Sequence, residues 1–144
     1  RIFMKLVESS KTIIVREITK AKHVEDARVI IDELYKNTKD KRLIVMDAEY
    51  PWLETLSGFK EPIYVIYPEP KNSTWIVDAI RDNPQSFVNR KDLPLSWAGK
   101  RDEELQKITG VSDAIFCHNK RFIAVAGSKE GAIALAHLAI NAKP

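Results

Sequence analysis

The sequence contains a single cysteine, Cys117, which rules out an internal disulfide framework and a cysteine zinc cluster. That usage suits a reducing intracellular setting, with the cytoplasm as the default expectation. Histidine is almost as scarce. His23, His118 and His137 stand far apart, and none is paired with a carboxylate at ligand spacing, so no metal site is expected from these residues. No apolar run approaches a membrane span and no basic-then-apolar leader opens the chain, so no membrane partner is expected. Nor is there a large excess of either charge. A formal net charge of +3 does not by itself announce a nucleic-acid binder, and local clustering has to carry that case. Internal repeats and low-complexity linkers are also missing. The chain begins at Arg1 rather than methionine, which sets the expectation of a piece of a longer polypeptide.

What is present is enough for one domain, since 144 residues at 44% hydrophobic content can bury a genuine core. Val24, Ala27, Ile30, Ile31 and Leu34 recur at helical spacing opposite a charged face, so residues 1–40 read as a helical lead-in. "LIVMDA" is a short β-branched run of the kind that becomes a buried strand, and Pro51 stops it. "PWLETLSG" gives one or two helical turns closed by Gly58. "PIYVIYPEPKNSTWIVDAI" reads as two strands around a Pro-Asn-Ser connection. "RDNPQSFVNRKDLPLSWAGK" has no period of either kind and becomes an ordered loop or lid. "RDEELQKITG" is a short helix with acids in its first turn and glycine past its end. "AIFCHNKRFIAVAGS" gives two strands around Asn119-Lys120, and "KEGAIALAHLAINA" an alanine-rich helix with Ser128 as N-cap. The expected class is α+β: a single domain over 1–144, with a mixed or antiparallel sheet of about five strands packed with helices.

The segment "RKDLPLSWAGKRDEELQKITGVSDAIFCHNKRFIAVAGSKEGAIALA", with the earlier "VMDAEYPWLETL" and "IYVIYPEPKNSTWIVDAI", resembles the C-terminal domain of the Myg (melanocyte proliferating gene) family. These are metal-dependent hydrolases related to the DHH phosphoesterases. The likeness runs from about Lys41 to Ala139, so 41–144 is read as the family-like core, similar to a DHH-associated C-terminal domain. The resemblance implies a substrate-binding domain of a metal-dependent phosphoesterase, with RNA exonuclease activity residing in the parent protein. Family members carry an N-terminal domain whose Asp-His-His motif binds divalent metal, and that motif is absent here. The chain alone is therefore expected to be inactive and to hold no cofactor. Manganese or magnesium would sit in the N-terminal DHH-type domain of the same polypeptide, which becomes its expected partner beside RNA or a small phosphorylated ligand. In nucleated cells the resemblance points to nucleus or mitochondrion.

On that reading, Arg90, Lys91, Lys100 and Arg101 flank Trp97 in a loop that could bring four cations beside an indole. A guanidinium grips phosphate in a bidentate way, and an indole is a stacking platform for an unpaired base. The plainer alternative places Trp97 in the core and pairs Arg101 with Asp102 or Glu104, with Lys100 an exposed charge where the family pattern is usually apolar. Gly127, Ser128, Lys129 and Gly131 open the last helix, where free amides and the dipole form a natural anion site; simple capping is the alternative. Ala124-Val125-Ala126 stands where relatives often show paired glycines. His118 matches a family histidine and is expected to meet the Gly127 turn as a binding residue, against the alternative of a satisfied strand histidine. His137 is read as structural and His23 as surface. Asp47 and Glu49 read as turn capping rather than metal or ribose ligands. Cys117 reads as a buried inert thiol, and Tyr64, Tyr67 and Trp75 as packing residues. A second class of function stays open: a protein-interaction or homodimer domain, in which the same basic loop meets an acidic protein surface.

Overall fold

The computed structural model describes residues 2–144. Its first element is a long helix, α1 (Ile2–Asn37), about 54 Å at 1.5 Å per residue. Only the second half of α1 follows the amphipathic spacing, burying Ala27 and Ile31 against the sheet. From residue 2 to 23 every side chain but Val7 is exposed, and the backbone stays helical without a core to lean on. There Ser10, Thr12 and Thr19 turn their hydroxyls back to the carbonyls four residues earlier.

A five-stranded open sheet follows, built from β1 (Leu43–Val45), β2 (Tyr64–Glu69), β3 (Thr74–Ala79), β4 (Ala114–Cys117) and β5 (Ile123–Ala126). The spatial order is β1-β2-β3-β5-β4; β1 runs parallel to β2, and every other neighbour is antiparallel. Three further helices complete the chain: α2 (Leu53–Ser57), α3 (Asp102–Thr109) and α4 (Lys129–Asn141). The α+β expectation with about five strands is what the chain adopts.

Strand alternation divides the sheet into two faces. Tyr64, Ile66, Val77, Ala79, Ala124, Ala126 and Cys117 turn to one side, where α4 lays Ala132, Leu135, Ala136 and Ala139 against them. Small residues on both surfaces let the helix approach closely, and Trp97, Leu93 and Leu105 fill the remaining space. On the other side Val65 and Tyr67 meet Ala27, Ile31 and Leu56, so α1 and α2 cover only the β1–β2 half.

The long connection from β3 to α3 is ordered by its cations. Arg90, its side chain only 9% exposed, donates to the Pro62 and Ser57 carbonyls at 2.7 and 3.0 Å and to Asp82 Oδ1 at 2.7 Å. Lys91 Nζ donates to the Ile140 and Ala142 carbonyls, both at 2.7 Å, closing the end of α4. After a single 3-10 turn at Leu95–Trp97, residues Gly99 to Arg101 run along the outer edge of β4. The Gly99 amide donates to the Cys117 carbonyl at 3.0 Å, and the Cys117 amide to the Lys100 carbonyl at 3.1 Å. That pairing shields the last strand edge. Helix α3 ends on Gly110 at φ +73°, a left-handed cap that favours glycine.

Candidate functional site

Thr74, Ile76 and Asp78 alternate with the core residues of β3 and so project from the opposite face. Beside them stand Val125 and Ile123 on β5 and Phe116 on β4, paired in register with Ile76, Asp78 and Val125 respectively. Helix α4 packs on the other face of this β3-β5-β4 half, and Ile76, Phe116, Ile123 and Val125 are all partly exposed. A row of flat groups crosses it. The Arg101 guanidinium lies 4.3 Å from the centre of the Phe116 ring, Phe116 meets His118 edge-on at 6.1 Å, and His118 tilts against Phe122 at 4.7 Å. Arginine on an aromatic face and rings in series are the surfaces on which unpaired bases stack.

The row ends in a hollow of about 530 Å³ beside the β4–β5 turn. Trp52, Phe87 and Phe122 give it aromatic walls, Arg81 and Lys120 positive charge, and Asp78, Asn89 and His118 directed polar groups. The His118 ring is held by its own turn. Its Nδ1 accepts from the Lys120 amide at 3.0 Å, so the neutral ring carries its proton on Nε2 and offers a donor there. Arg81 Nη1 is tethered to the Ser86 carbonyl at 2.7 Å. Tyr67 Oη donates to Asp78 Oδ2 at 3.0 Å. Burial pushes the Asp78 carboxyl up to about 6, against the opposing influence of the Tyr67 hydrogen bond and the Arg81 charge.

The cluster expected around Trp97 does not form. Trp97 is 4% exposed and belongs to the core beneath α4, so the aromatic beside the exposed guanidinium is Phe116 instead. Arg90 is consumed by two carbonyls and Asp82, Lys91 by the end of α4, and Lys100 sits 3.7 Å from Glu104. Arg101 forms no ion pair among the described residues; its expected partners Asp102 and Glu104 leave it to the ring.

The Gly127–Gly131 turn is likewise closed upon itself. Ser128 Oγ accepts from the Gly131 amide at 3.0 Å, as an N-cap should, and donates to Asp113 Oδ2 at 2.5 Å. The Gly127 amide donates to the Asp113 carbonyl at 2.9 Å. A side chain of the protein itself thus fills the anion position at the start of α4. Lys129 rests over the Trp75 ring at 5.8 Å on the α4 side of the sheet. His118 does not reach this turn, because the two occupy opposite ends of β5, roughly 14 Å apart along a strand. Of the eight expected site residues only Arg101 and His118 share the open face. His137, read as structural, is exposed, and His23 is on the surface as expected. Tyr50 Oη donates to Asp47 Oδ1 at 3.1 Å, a local turn contact. Cys117 is buried, and burial raises its thiol to about 11, an unreactive setting.

Sequence reasoning passed over Asp78, Arg81, Phe87, Asn89, Phe116, Lys120 and Phe122. One signal was legible. In "TWIVDAI" an acid alternates with Trp75, Val77 and Ala79, so it falls on the face opposite the core, among apolar neighbours on its own strand. The others come together through the β3–β5 and β4–β5 pairings.

Among the described residues no group of three or more His, Cys, Asp or Glu side chains is placed to hold a metal ion, so the residues present do not fit one. No helix among them is long and apolar enough to cross a membrane. Residues 1–140 match the model of an uncharacterised protein family, MYG1_exonuc (UPF0160), so the likeness takes in the α1 lead-in as well as the core. The MYG1 protein of Dictyostelium discoideum is 33% identical over 127 residues, covering 81% of this chain and 39% of that protein. For the MYG1 protein C694.04c of Schizosaccharomyces pombe the figures are 32% over 122 residues, 80% and 37%. The human MYG1 exonuclease is 36% identical over 93 residues, covering 60% of this chain and 24% of its own length. The chain thus spans about two fifths of the length of the first two curated relatives.

Proposed function

The chain belongs to the MYG1_exonuc family (UPF0160), and from that premise we propose that it is the substrate-binding part of a metal-dependent phosphoesterase of the DHH type. Its open sheet face holds a single RNA strand. The observation that carries this reading is the row from Arg101 over Phe116 to His118 and Phe122, which leads into a hollow flanked by Arg81 and Lys120. Rings supply stacking that every base can use, and the cations supply phosphate contacts. The name exonuclease carried by the human relative agrees with such a ligand. Hydrolysis, with its manganese or magnesium, is assigned to the part of the longer relatives that this chain does not span, since the donor set here does not fit a metal. That part would face the sheet as a partner domain.

The test is fluorescence anisotropy of a labelled single-stranded RNA across a salt series. If Arg81, Arg101 and Lys120 each meet a phosphate, the plot of log affinity against log salt has a slope near about −2, at ~0.7 per contact for single strands. Arg101→Gln or Lys120→Gln should each flatten it by about 0.7. Binding that ignores salt, or a slope unmoved by both substitutions, refutes the proposal.

A second reading, a protein-interaction or homodimer domain, is favoured by one observation. Ile2, Phe3, Leu6, Ile13, Ile14 and Val15 of α1 are between 58% and 77% exposed. Indifference to RNA together with a molecular mass that rises with concentration would select it.

A further inference from the structure

We propose that the hollow takes a guanine base and that Asp78 reads its amino-bearing edge, an inference that rests on the RNA-binding reading above. The hollow's volume of about 530 Å³ falls within the range of roughly 300–1,000 Å³ of sites for small organic ligands. Its composition is that of a nucleotide site in three parts. Phe122, Trp52 and the almost wholly exposed Phe87 offer faces for a ring. Arg81 and Lys120 lie at the same hollow for the phosphate. Between them Asp78 supplies a carboxylate on the sheet floor.

The acid is what selects among bases. A carboxylate accepts up to four hydrogen bonds, and Tyr67 occupies one position on Oδ2 while fixing the group's orientation. No cation approaches Asp78 closely enough to form an ion pair among the described residues. An acceptor-only group with positions to spare matches an edge that presents adjacent donors. Guanine does so with N1–H and its 2-amino group. Adenine and cytosine each set one amino group beside a ring acceptor, and uracil sets one N–H between two carbonyl oxygens that a carboxylate repels. Asp78 therefore ranks guanine first and uracil last. The Ala79 amide and the Arg81 charge favour its ionised form without closing an ion pair, and amid Ile76, Ile123 and Val125 the carboxylate keeps acceptor positions turned to the hollow.

The experiment uses pentauridylate and variants carrying a single guanosine, adenosine, cytidine or inosine at either end, titrated into the 144-residue chain at fixed salt. One guanosine should tighten binding about tenfold over uridine, the discrimination of a good bidentate pair. Inosine, which keeps N1–H but lacks the amino group, should fall between. Asp78→Asn should lose the guanosine preference, the ratio of guanosine to uridine affinity falling from about tenfold toward one. Equal affinity for all oligonucleotides, with the salt dependence intact, overturns the guanine assignment and leaves the RNA-binding reading standing. Absence of binding to any of them overturns both. Should Asp78→Asn fail to fold, the unaltered protein decides: a guanosine preference that survives replacement by inosine and by N1-methylguanosine is not read by Asp78, and the assignment falls.

Discussion

Substituting alanine for Gly131 should destabilise the chain, although alanine is the better helix former by about 1 kcal/mol. Gly131 lies in the first turn of α4, and a methyl group built on it falls 2.1 Å from Asp113 Oδ1 and 2.7 Å from Asp113 Cγ. The carboxylate must swing away. It then gives up the bond from Ser128 Oγ, a charge-assisted contact of about 1.5–3 kcal/mol, and its place by the positive end of the helix, about 0.3–1 kcal/mol. Set against the gain in helix propensity, the net loss is about 1–3 kcal/mol. Urea unfolding followed by circular dichroism reads it as a lower midpoint at unchanged slope. A second substitution makes the sign diagnostic. Asp113→Ala alone removes the same bond and is destabilising, yet on that background Gly131→Ala should be stabilising by about 1 kcal/mol, because the clash has gone and the propensity gain remains. If Gly131→Ala proves stabilising by itself, the carboxylate is not lodged against the helix start, and the argument that the chain fills its own anion position is wrong.

Two further perturbations separate scaffold from site. Arg90→Met strands the Pro62 and Ser57 carbonyls and should cost about 2–4 kcal/mol in urea unfolding, while RNA affinity of the folded protein changes less than about twofold. Asp78 titrates near 6 in the folded chain against an ordinary carboxyl value of 3.8, so the folded state binds the extra proton between those values and stability falls as pH rises through that window. Asp78→Asn should match the parent at pH 4, exceed its stability by up to about 3 kcal/mol at pH 7, and remove that part of the pH dependence; an unchanged pH profile would show the carboxyl to be hydrated.

Local chemistry made much of the fold legible. The β4–β5 hairpin, the Ser128 cap, the acids opening α3 and the glycine ending it each depend on residues within a few positions of one another, and each was readable. The first half of α1 fell within the expected helical lead-in, but its lack of a packing partner was not readable, since Ile13-Ile14-Val15 and the Ser9-Ser10 pair merely break the amphipathic period of a helix packed on a core. The site was harder still. Ser128 announced a cap, but Asp113, fifteen residues earlier, decides whether that cap remains open to a ligand. The position of Arg101 depends on the edge pairing of Gly99–Arg101 with Cys117, a contact across a turn of helix and a strand. Such long-range pairings carry no periodic signature.

The cations of "RKDLPLSWAGKR" show why charge clusters mislead in a loop of this kind. A long connection over a sheet leaves carbonyls without strand partners, and helix ends leave more. Arginine and lysine reach those acceptors with little backbone cost, so Arg90 and Lys91 are taken up holding Pro62, Ser57, Ile140 and Ala142 in place. Lys100 balances the acids of α3, which are there to favour the helix dipole. Only Arg101 is carried by its edge pairing onto the open face. The groups available to a ligand are therefore selected by strand alternation rather than by density of charge. On β3 that alternation sets Asp78 in apolar company at a cost to stability, which the packed core beneath α4 offsets.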